Sequence, residues 1–307
     1  MKDRKKSRRI LPGNPIFIVG YPRSGTTLIQ SLLSALAKRP PIFSFPETHY
    51  FNVLEKHLIT GELRKITAGS IQDNLELIRE KSGLPPDRVA EEMVCRQAGK
   101  TGMSSRDFFE WMVIRNLEER LKPETWNNGF RWVEKTPYHA NFIDRILLLY
   151  RDARILHVLR HPVAAVTSQK RNFPFCADTP LEELAQRWVN VTGNALQAVS
   201  RHPDETMTLR YEDLVKNPEE ILDEIAGFLE VSLDFRQLDR MPSSAASVIL
   251  DNEPWKKNNR KSGLFDANDD CRKRISRDES ERIEKIAAKR MTETGYFEFL
   301  RSTPDQS

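Results

Sequence analysis

Cysteine and long apolar runs are scarce in this chain of 307 residues. The three cysteines, Cys95, Cys176 and Cys271, are far apart and odd in number, so they indicate neither a disulfide framework nor a paired metal site. No stretch approaches the roughly 20 apolar residues that cross a bilayer, and no apolar segment follows the N-terminus as a secretory signal requires. We therefore expect a cytoplasmic protein without a membrane span.

Excess charge of one sign is also lacking, because the formal net charge is only +4. Residues 1–10 hold six Lys or Arg against one Asp, which leaves the rest of the chain close to neutral. Such a terminus is typical of a solvated, disordered basic tail, here over 1–14, and favours this over contact with nucleic acid or an anionic membrane. The hydrophobic content of 39% excludes disorder of the whole chain. An anion site in the body must therefore be built from local groups.

Strand and helix patterns alternate from residue 15 onward. Short apolar runs typical of buried parallel strands occupy 15–20, 42–45, 130–134, 154–160 and 206–210. Helical periodicities occupy 26–38, 140–151, 163–172, 181–200 and 217–229, and helical patterns continue to about Tyr296. Residues 50–128 predict several helices and no strand. The alternation predicts one α/β domain over 15–300, an open parallel sheet of the P-loop type flanked by helices, with a helical insertion at about 50–130.

A segment bounded by glycines, Gly20-Tyr21-Pro22-Arg23-Ser24-Gly25-Thr26-Thr27, lies between the first predicted strand and the first predicted helix. Its glycines allow a tight turn, so backbone N–H groups and the helix N-terminus can point at one bound phosphate. The hydroxyls of Ser24, Thr26 and Thr27 can add donors. The spacing is that of a P-loop.

Two features of nucleoside triphosphatases are missing from this pattern. Thr26 follows Gly25 where those enzymes place the Lys that bridges the β- and γ-phosphates, and the cation of the loop is Arg23. Arg160 ends the run at 154–160, where those enzymes usually place a Mg²⁺-binding Asp. The loop therefore favours a terminal, already activated phosphate-like group over a triphosphate with Mg²⁺.

A second anion site is predicted after the strand at 154–160. Arg160 stands at the carboxyl edge of that strand, where open α/β sheets bind ligands, and Pro162 is typical of the first turn of a helix. Ser168 follows about two turns later, on the side where it could share an anion with Arg160. Two phosphate sites at neighbouring strand ends favour a nucleotide that carries phosphates at both ends of its ribose.

Five segments together resemble the sulfotransferases that use 3′-phosphoadenosine-5′-phosphosulfate (PAPS). GYPRSGTTLIQ at 20–30 resembles their 5′-phosphosulfate loop, and RHPVAAVTSQKR at 160–171 resembles their 3′-phosphate segment. RYEDLVKNPEEIL at 210–222 is similar to a stretch that follows their fourth strand. WVEKTPYH at 132–139 and PETHYF at 46–51 match the bacterial and protein-tyrosine-sulfotransferase-like branch. The resemblance extends over about 15–230, and only the insertion lacks a clear counterpart.

The resemblance implies transfer of a sulfonate from PAPS to a hydroxyl or amine, without a metal and without nucleic acid as a partner. The acceptor would be a small molecule or a biosynthetic intermediate. By position, the 5′-phosphosulfate would be held by Arg23, Ser24, Gly25, Thr26 and Thr27. The 3′-phosphate would be held by Arg160 and Ser168, and Tyr211 would lie near the nucleotide. Asn172 departs from the Arg that the branch often has at this position, so the roles of Lys170 and Arg171 stay open.

Sulfonate transfer requires cations at the leaving phosphate oxygen and a base at the acceptor. The resemblance implies Arg23 and Lys135 for the first role. A simple ion pair with Lys135 is one alternative for Glu134, which precedes that lysine, and Glu134 is not counted among the catalytic residues.

Glu47 and His49 are the two candidates for the base, and the alternative is that both only cap a loop or pair with Lys or Arg. Glu47 matches the catalytic glutamate of the branch and is favoured. Burial between Phe45 and Tyr50 would raise the pKa of Glu47 above its ordinary value of about 4.3 and strengthen it as a base.

Two other functions remain open from the sequence. A P-loop kinase or other nucleotide phosphotransferase is disfavoured by Thr26 and Arg160. A non-catalytic anion-binding protein is disfavoured by the presence of both Glu47 and Lys135.

Overall fold

The computed structural model describes residues 9–61, 64–84, 102–248, 266–297 and 299. Residues 1–8 of the predicted basic tail lie outside the described residues, and so does Cys95, whereas residues 9–14 are described. Within the described residues, no helix is both long and apolar enough to cross a membrane.

A five-stranded parallel sheet forms the centre of the molecule, with the strand order β3-β6-β1-β7-β8. Its strands are β1 (Ile16–Gly20), β3 (Ile42–Ser44), β6 (Arg131–Lys135), β7 (Arg154–Leu159) and β8 (Thr206–Arg210). Two short antiparallel pairs lie outside this sheet, β2 (Ala37–Arg39) with β9 (Ser232–Leu233) and β4 (Ile59–Thr60) with β5 (Lys65–Ile66).

Helices connect the strands and cover both faces of the sheet. In chain order they are α1 (Thr26–Leu36), α2 (Glu55–Leu58), α3 (Ala68–Asp73), α4 (Leu75–Lys81), α5 (Ser105–Glu118), α6 (Pro123–Asn127), α7 (Ile143–Leu149), α8 (Pro162–Asn172), α9 (Leu181–Arg201), α10 (Tyr211–Lys216), α11 (Pro218–Leu229), α12 (Met241–Val248), α13 (Ala267–Arg272) and α14 (Arg277–Glu293). A π-helix spans Tyr50–Leu54, and 3₁₀ helices span Pro137–Phe142, Pro174–Cys176 and Phe235–Arg240.

The central strand β1 explains why both faces are covered. Every residue of its sequence IFIVG is buried. Phe17 and Val19 contribute to one hydrophobic core, while Ile16 and Ile18 contribute to a second core on the opposite face. Side chains alternate along a strand, so a continuous apolar run requires cover on both sides, as parallel sheets usually have. The predicted α/β fold class is confirmed.

The strand order brings the predicted site segments to one edge. The flanking strands of β1 are β6 and β7, with Ile18 opposite Lys135 and Gly20 opposite Val158. All three strands run in the same direction, so their carboxyl ends meet. The loop after β1, Lys135 at the end of β6 and Arg160 after β7 therefore share one edge, which is where open α/β sheets bind ligands.

The insertion differs from its prediction. The sequence predicts several helices and no strand over 50–128, with breaks at Gly61 and at 83–86, but Ile59–Thr60 and Lys65–Ile66 pair as strands around Gly61. Gly61 adopts a left-handed backbone conformation with φ of +67°. Strands of two residues are too short for a period-two pattern to show in sequence.

The first helix is also shorter than predicted. It was expected to reach Lys38, yet it ends at Leu36 because Ala37–Arg39 pairs with Ser232–Leu233 as an antiparallel strand. A partner nearly 200 residues away in sequence overrides the local helical preference here, which tertiary context commonly does.

Candidate active site

The loop between β1 and α1 is a tight turn that ends at a helix N-terminus. Gly25 lies just before α1 with φ of +97°, and Arg23 is left-handed with φ of +72°. The Ser24 amide closes the turn by donating to the Tyr21 carbonyl at 3.1 Å. A Cβ on Gly20 would come within 2.4 Å of the Val158 carbonyl oxygen, so this glycine permits close approach of the two strands. The conformation is the one an anion-binding loop needs.

Gly25 offers a test of how tightly this loop is packed. We expect Gly25→Ala to lower the free energy of unfolding by about 1–3 kcal/mol more than Gly129→Ala. Both glycines have positive φ, +97° and +73°, but a Cβ at Gly25 would lie 2.6 Å from Tyr211 Cδ2 whereas Gly129 has open space. Urea unfolding of the two variants measures the difference. Equal destabilisation would show that the contact with Tyr211 costs nothing and that backbone strain alone matters.

The predicted residues Arg23 and Ser168 are in contact. Arg23 Nε donates to Ser168 Oγ at 3.1 Å, and Asn172 Nδ2 donates to the same oxygen at 3.3 Å. The Arg23 guanidinium also lies 5.8 Å from the centre of the Phe173 ring. Asn172, the position that departs from the family pattern, therefore supports Ser168. Its neighbour Lys170 donates to the carbonyls of Ala177 and Thr179, both at 2.8 Å.

Arg160 is buried and held from three sides. Its Nη1 donates to the Arg23 carbonyl at 2.8 Å, and its Nε donates to Asn268 Oδ1 at 2.8 Å. The guanidinium carbon lies 4.5 Å from the centre of the Tyr211 ring, a cation–π distance. These contacts hold the guanidinium in one orientation, so the position of its positive charge is fixed.

Asn268 was not predicted from the sequence. It is fully buried on α13, and its Nδ2 donates to Glu212 Oε1 at 3.0 Å while its oxygen accepts from Arg160. The amide of Ala267, the residue before Asn268 on α13, donates to Tyr211 Oη at 3.0 Å. An Asn within a charged helical segment carries no sequence signal for this role, because the role depends on docking over more than 100 residues of separation.

One cleft of 290 Å³ joins these groups to Glu47 and His49, the two candidates for the base, whereas Lys135 is not among its lining residues. Its lining includes Arg23, Thr26, Thr27, Ser168, Arg160 and Tyr211, together with Glu47 and His49. Tyr138, Phe173 and Phe175 add an aromatic side to the same cleft. Among the described residues, no three His, Cys, Asp or Glu side chains are close enough to hold a metal ion.

Glu47 and Lys135 form an ion pair at this cleft. Lys135 Nζ donates to Glu47 Oε1, and the exposed fractions of the two side chains are 2% for Lys135 and 11% for Glu47. His49 Nε2 lies 3.4 Å from Glu47 Oε2, so both carboxylate oxygens face a nitrogen. Burial lowers the pKa of His49, which favours its neutral form.

Glu134 does not form the ion pair with Lys135 that the sequence left as an alternative. Lys135 pairs with Glu47, whereas the Glu134 carboxylate accepts hydrogen bonds from Thr48, Thr136 and His139. The reason is the alternation of side chains along β6, which directs neighbouring residues to opposite faces.

A family model for sulfotransferases matches residues 15–235 of this chain. The chain belongs to the sulfotransferase family. The predicted family is thereby confirmed, and the match covers the P-loop-like segment, the predicted catalytic residues and the segment after β7. It ends before α13, so Asn268 lies beyond it.

Similar proteins agree with this membership. An uncharacterized protein of Aquifex aeolicus is 24% identical over 259 residues, which is 80% of this chain. The chain spans only 30% of that protein's length. A candidate protein-tyrosine sulfotransferase of Caenorhabditis briggsae is 23% identical over 243 residues, which is 78% of this chain and 74% of that protein.

Solved sulfotransferase structures have the same fold. The sulfotransferase domain of the curacin biosynthetic pathway matches with a TM-score of 0.57 and 20% identity, covering 94% of this chain and 99% of that domain. A mouse sulfotransferase complexed with PAP, 3′-phosphoadenosine 5′-phosphate, matches with a TM-score of 0.50 and 11% identity over 92% of this chain and 85% of its own. The sulfotransferase fold is therefore established for this chain.

Proposed function

We propose that this chain transfers a sulfonate group from PAPS to a hydroxyl or amine of an acceptor, with Glu47 as the general base. The observation that carries the proposal is one cleft with two arginines, Arg23 and Arg160, beside the Glu47–Lys135 pair. The arginines supply positive charge for a doubly phosphorylated donor. The ion pair supplies the two charges that the reaction itself requires.

The chemistry of the cleft fits such a donor. Arginine has five N–H donors, and the contacts of Arg160 with Arg23 and Asn268 use two nitrogens, so others remain for phosphate oxygens. Ser168 Oγ accepts from Arg23 and Asn172, which leaves its own hydrogen to donate. Ser24 Oγ is fully buried and makes no hydrogen bond within the described residues, so a phosphate on the loop would satisfy it. The PAP complex of the mouse sulfotransferase supports the same class of donor.

The roles of the chain's residues follow from where charge changes during transfer. Glu47 accepts the proton of the acceptor as the acceptor atom forms its bond to sulfur. The bond between sulfur and the phosphate oxygen breaks, and its electron pair remains on that oxygen. Lys135 and Arg23 stabilise the negative charge that develops there. The ion pair of Glu47 and Lys135 keeps a base that lines the cleft beside a cation that is almost fully buried.

His49 remains the second candidate for the base. Its lowered pKa makes it neutral, and a neutral imidazole can accept a proton. Glu47 is preferred because the ion pair with Lys135 fixes the position of its carboxylate at the cleft. A cytoplasmic location, a small-molecule acceptor and a single domain over 15–300 belong to this proposal. So does the activity of the whole protein, because the Aquifex relative extends far beyond the matched region.

Thermal unfolding with ligands tests the donor. We expect PAP at 100 times its Kd to stabilise the protein by about 2.7 kcal/mol, without a requirement for Mg²⁺. ATP with Mg²⁺ is the comparison ligand. Stronger stabilisation by ATP and Mg²⁺ than by PAP would contradict the proposal and favour a nucleotide phosphotransferase.

Transfer itself is tested with ³⁵S-labelled PAPS. We expect label to move to acceptors in a cell extract, with unchanged rate when EDTA is added. Binding of PAP without transfer to any acceptor would instead favour an anion-binding protein.

A further inference from the structure

Glu134 is a buried carboxylate that the proposed reaction does not use, and it is hydrogen-bonded to Thr48, the residue after Glu47. Glu134 has no exposed surface. Its Oε1 accepts from Thr48 Oγ1 at 2.9 Å and from Thr136 Oγ1 at 2.6 Å, and its Oε2 faces His139 Nδ1 at 2.9 Å. A charged group is rarely buried in this way unless several donors stabilise it.

The hydrogen bonds of His139 define its tautomer. Its Nε2 accepts from the Phe51 amide at 3.2 Å, so Nδ1 carries the hydrogen that is donated to Glu134. Burial by itself would raise the pKa of Glu134. The electrostatic attraction of His139 and the hydrogen bonds from His139, Thr136 and Thr48 outweigh this and hold the pKa of Glu134 below its usual value, which favours the anion.

The same side chains hold the backbone that carries Glu47. Thr136 Oγ1 accepts from the amides of Thr48 and His49 at 3.2 and 3.4 Å. Thr48 Oγ1 accepts from the Tyr50 amide at 3.4 Å, and His139 accepts from the amide of Phe51. Four consecutive backbone N–H groups, from 48 to 51, therefore bond to side chains that are themselves bound to Glu134.

The charge on Glu134 sets the direction of these bonds. Because the two threonine hydroxyls donate their hydrogens to the carboxylate, their lone pairs are left for the amides. Likewise, His139 Nε2 can accept from the Phe51 amide only while the ring hydrogen is on Nδ1, which donates it to Glu134. His49 is left-handed within this segment, with φ of +47°, a conformation that a non-glycine residue keeps only when its surroundings enforce it.

We propose that Glu134 is a positioning residue, which fixes residues 48–51 through Thr48, Thr136 and His139 and so holds Glu47 against Lys135 in the cleft. This inference rests on the proposed function of Glu47 as the base. Lys135 follows Glu134 on β6, so one strand end positions both members of the ion pair, Lys135 directly and Glu47 through the network.

The first test replaces Glu134 by glutamine. An amide of the same shape has one acceptor oxygen instead of two, so it cannot accept from all three donors. We expect Glu134→Gln to lower kcat about 10- to 100-fold, because a displacement of about 1 Å at a reacting group can cost 10²-fold. KM for PAPS and the thermal shift with PAP remain as in the wild type. Glu55→Gln is the matched control, since Glu55 is also buried and bound by Arg145 and Ser105, but this network reaches the segment at the Tyr50 hydroxyl and not at a backbone amide of 48–51.

Thr136 supplies a pair of variants that separates positioning from packing. Thr136→Val keeps the shape and removes the hydroxyl, and we expect it to lose kcat as Glu134→Gln does. Thr136→Ser keeps the hydroxyl and is expected to retain kcat within about threefold. Equal kcat in the two variants would overturn the proposal, even if one of them is less stable.

Amide hydrogen exchange gives a readout that does not depend on activity. We expect the amides of residues 48–51 to exchange slowly in the wild type and much faster in Glu134→Gln, while those of β1 stay protected in both. Unchanged exchange at 48–51, or unchanged kcat, in a folded Glu134→Gln protein would overturn the positioning role. Absence of transfer by the wild type contradicts the proposed function instead, and the exchange experiment then still decides whether Glu134 holds the segment.

Discussion

The Glu47→Gln variant is expected to lose sulfonate transfer by about 10²- to 10⁴-fold, the usual contribution of a general base. Binding of PAP should be unchanged, because the residues proposed to hold the phosphates lie on the loop after β1 and on α8 and its preceding loop. Glutamine keeps the size of the side chain and can still accept from Lys135, but it cannot take a proton at neutral pH. Single-turnover transfer from labelled PAPS measures the rate, and thermal shift measures PAP binding.

Glu55→Gln again serves as the control for loss of a buried carboxylate. It should lower stability, because Glu55 pairs with Arg145 at 2.6 Å, but leave the rate of transfer intact. His49→Gln tests the second candidate for the base. A Glu47→Gln protein with a normal rate, combined with an inactive His49→Gln protein, would move the role of the base to His49.

The Arg160→Ala variant is expected to lose the preference for PAP over AMP, which lacks the 3′-phosphate. Charge-assisted hydrogen bonds contribute about 1.5–3 kcal/mol each, so PAP affinity should fall about 10- to 150-fold while AMP affinity changes little. Arg160→Lys should not restore the preference. An ammonium cannot donate to Asn268 and the Arg23 carbonyl in the forked geometry of the guanidinium and also reach a phosphate. Isothermal titration with both nucleotides measures the two affinities.

Arg154→Ala is the matched control for the Arg160→Ala experiment. Arg154 begins β7, the strand that Arg160 follows, and pairs loosely with Glu230 at 3.8 Å. This variant should bind PAP as the wild type does. If Arg160→Ala instead weakened PAP and AMP equally, Arg160 would act by supporting the loop through the Arg23 carbonyl and not by binding the 3′-phosphate.

Local patterns were sufficient to predict the elements that carry the segments proposed to bind phosphate. The strand at Ile16–Gly20 and the helix that begins at Thr26 occur where the apolar run and the glycine spacing predicted them. The helix Pro162–Asn172 begins at the predicted proline. These features depend on neighbours within a few residues, so a single sequence contains the relevant information.

Such local patterns do not predict contacts between segments that are far apart in the sequence. The sequence placed Glu134 beside Lys135, but the tertiary structure pairs Lys135 with Glu47, which is 88 residues away. Asn268 reaches Arg160 across 108 residues and gives no local signal. The short strands β2 and β9 exist only because each provides a partner for the other.

The sequence by itself determined the α/β class, the phosphate-loop pattern with Arg23, the absence of a Lys after Gly25, and the resemblance that led to the sulfotransferase family. Only the tertiary structure decided that Arg23 and Ser168 touch, that Asn268 bonds to Arg160, and that Glu134 bonds to Thr48, Thr136 and His139. The physical reason is the range of the interactions. Periodicity and turn chemistry act over a few residues, whereas the direction of a buried charge depends on which donors the complete fold brings to it.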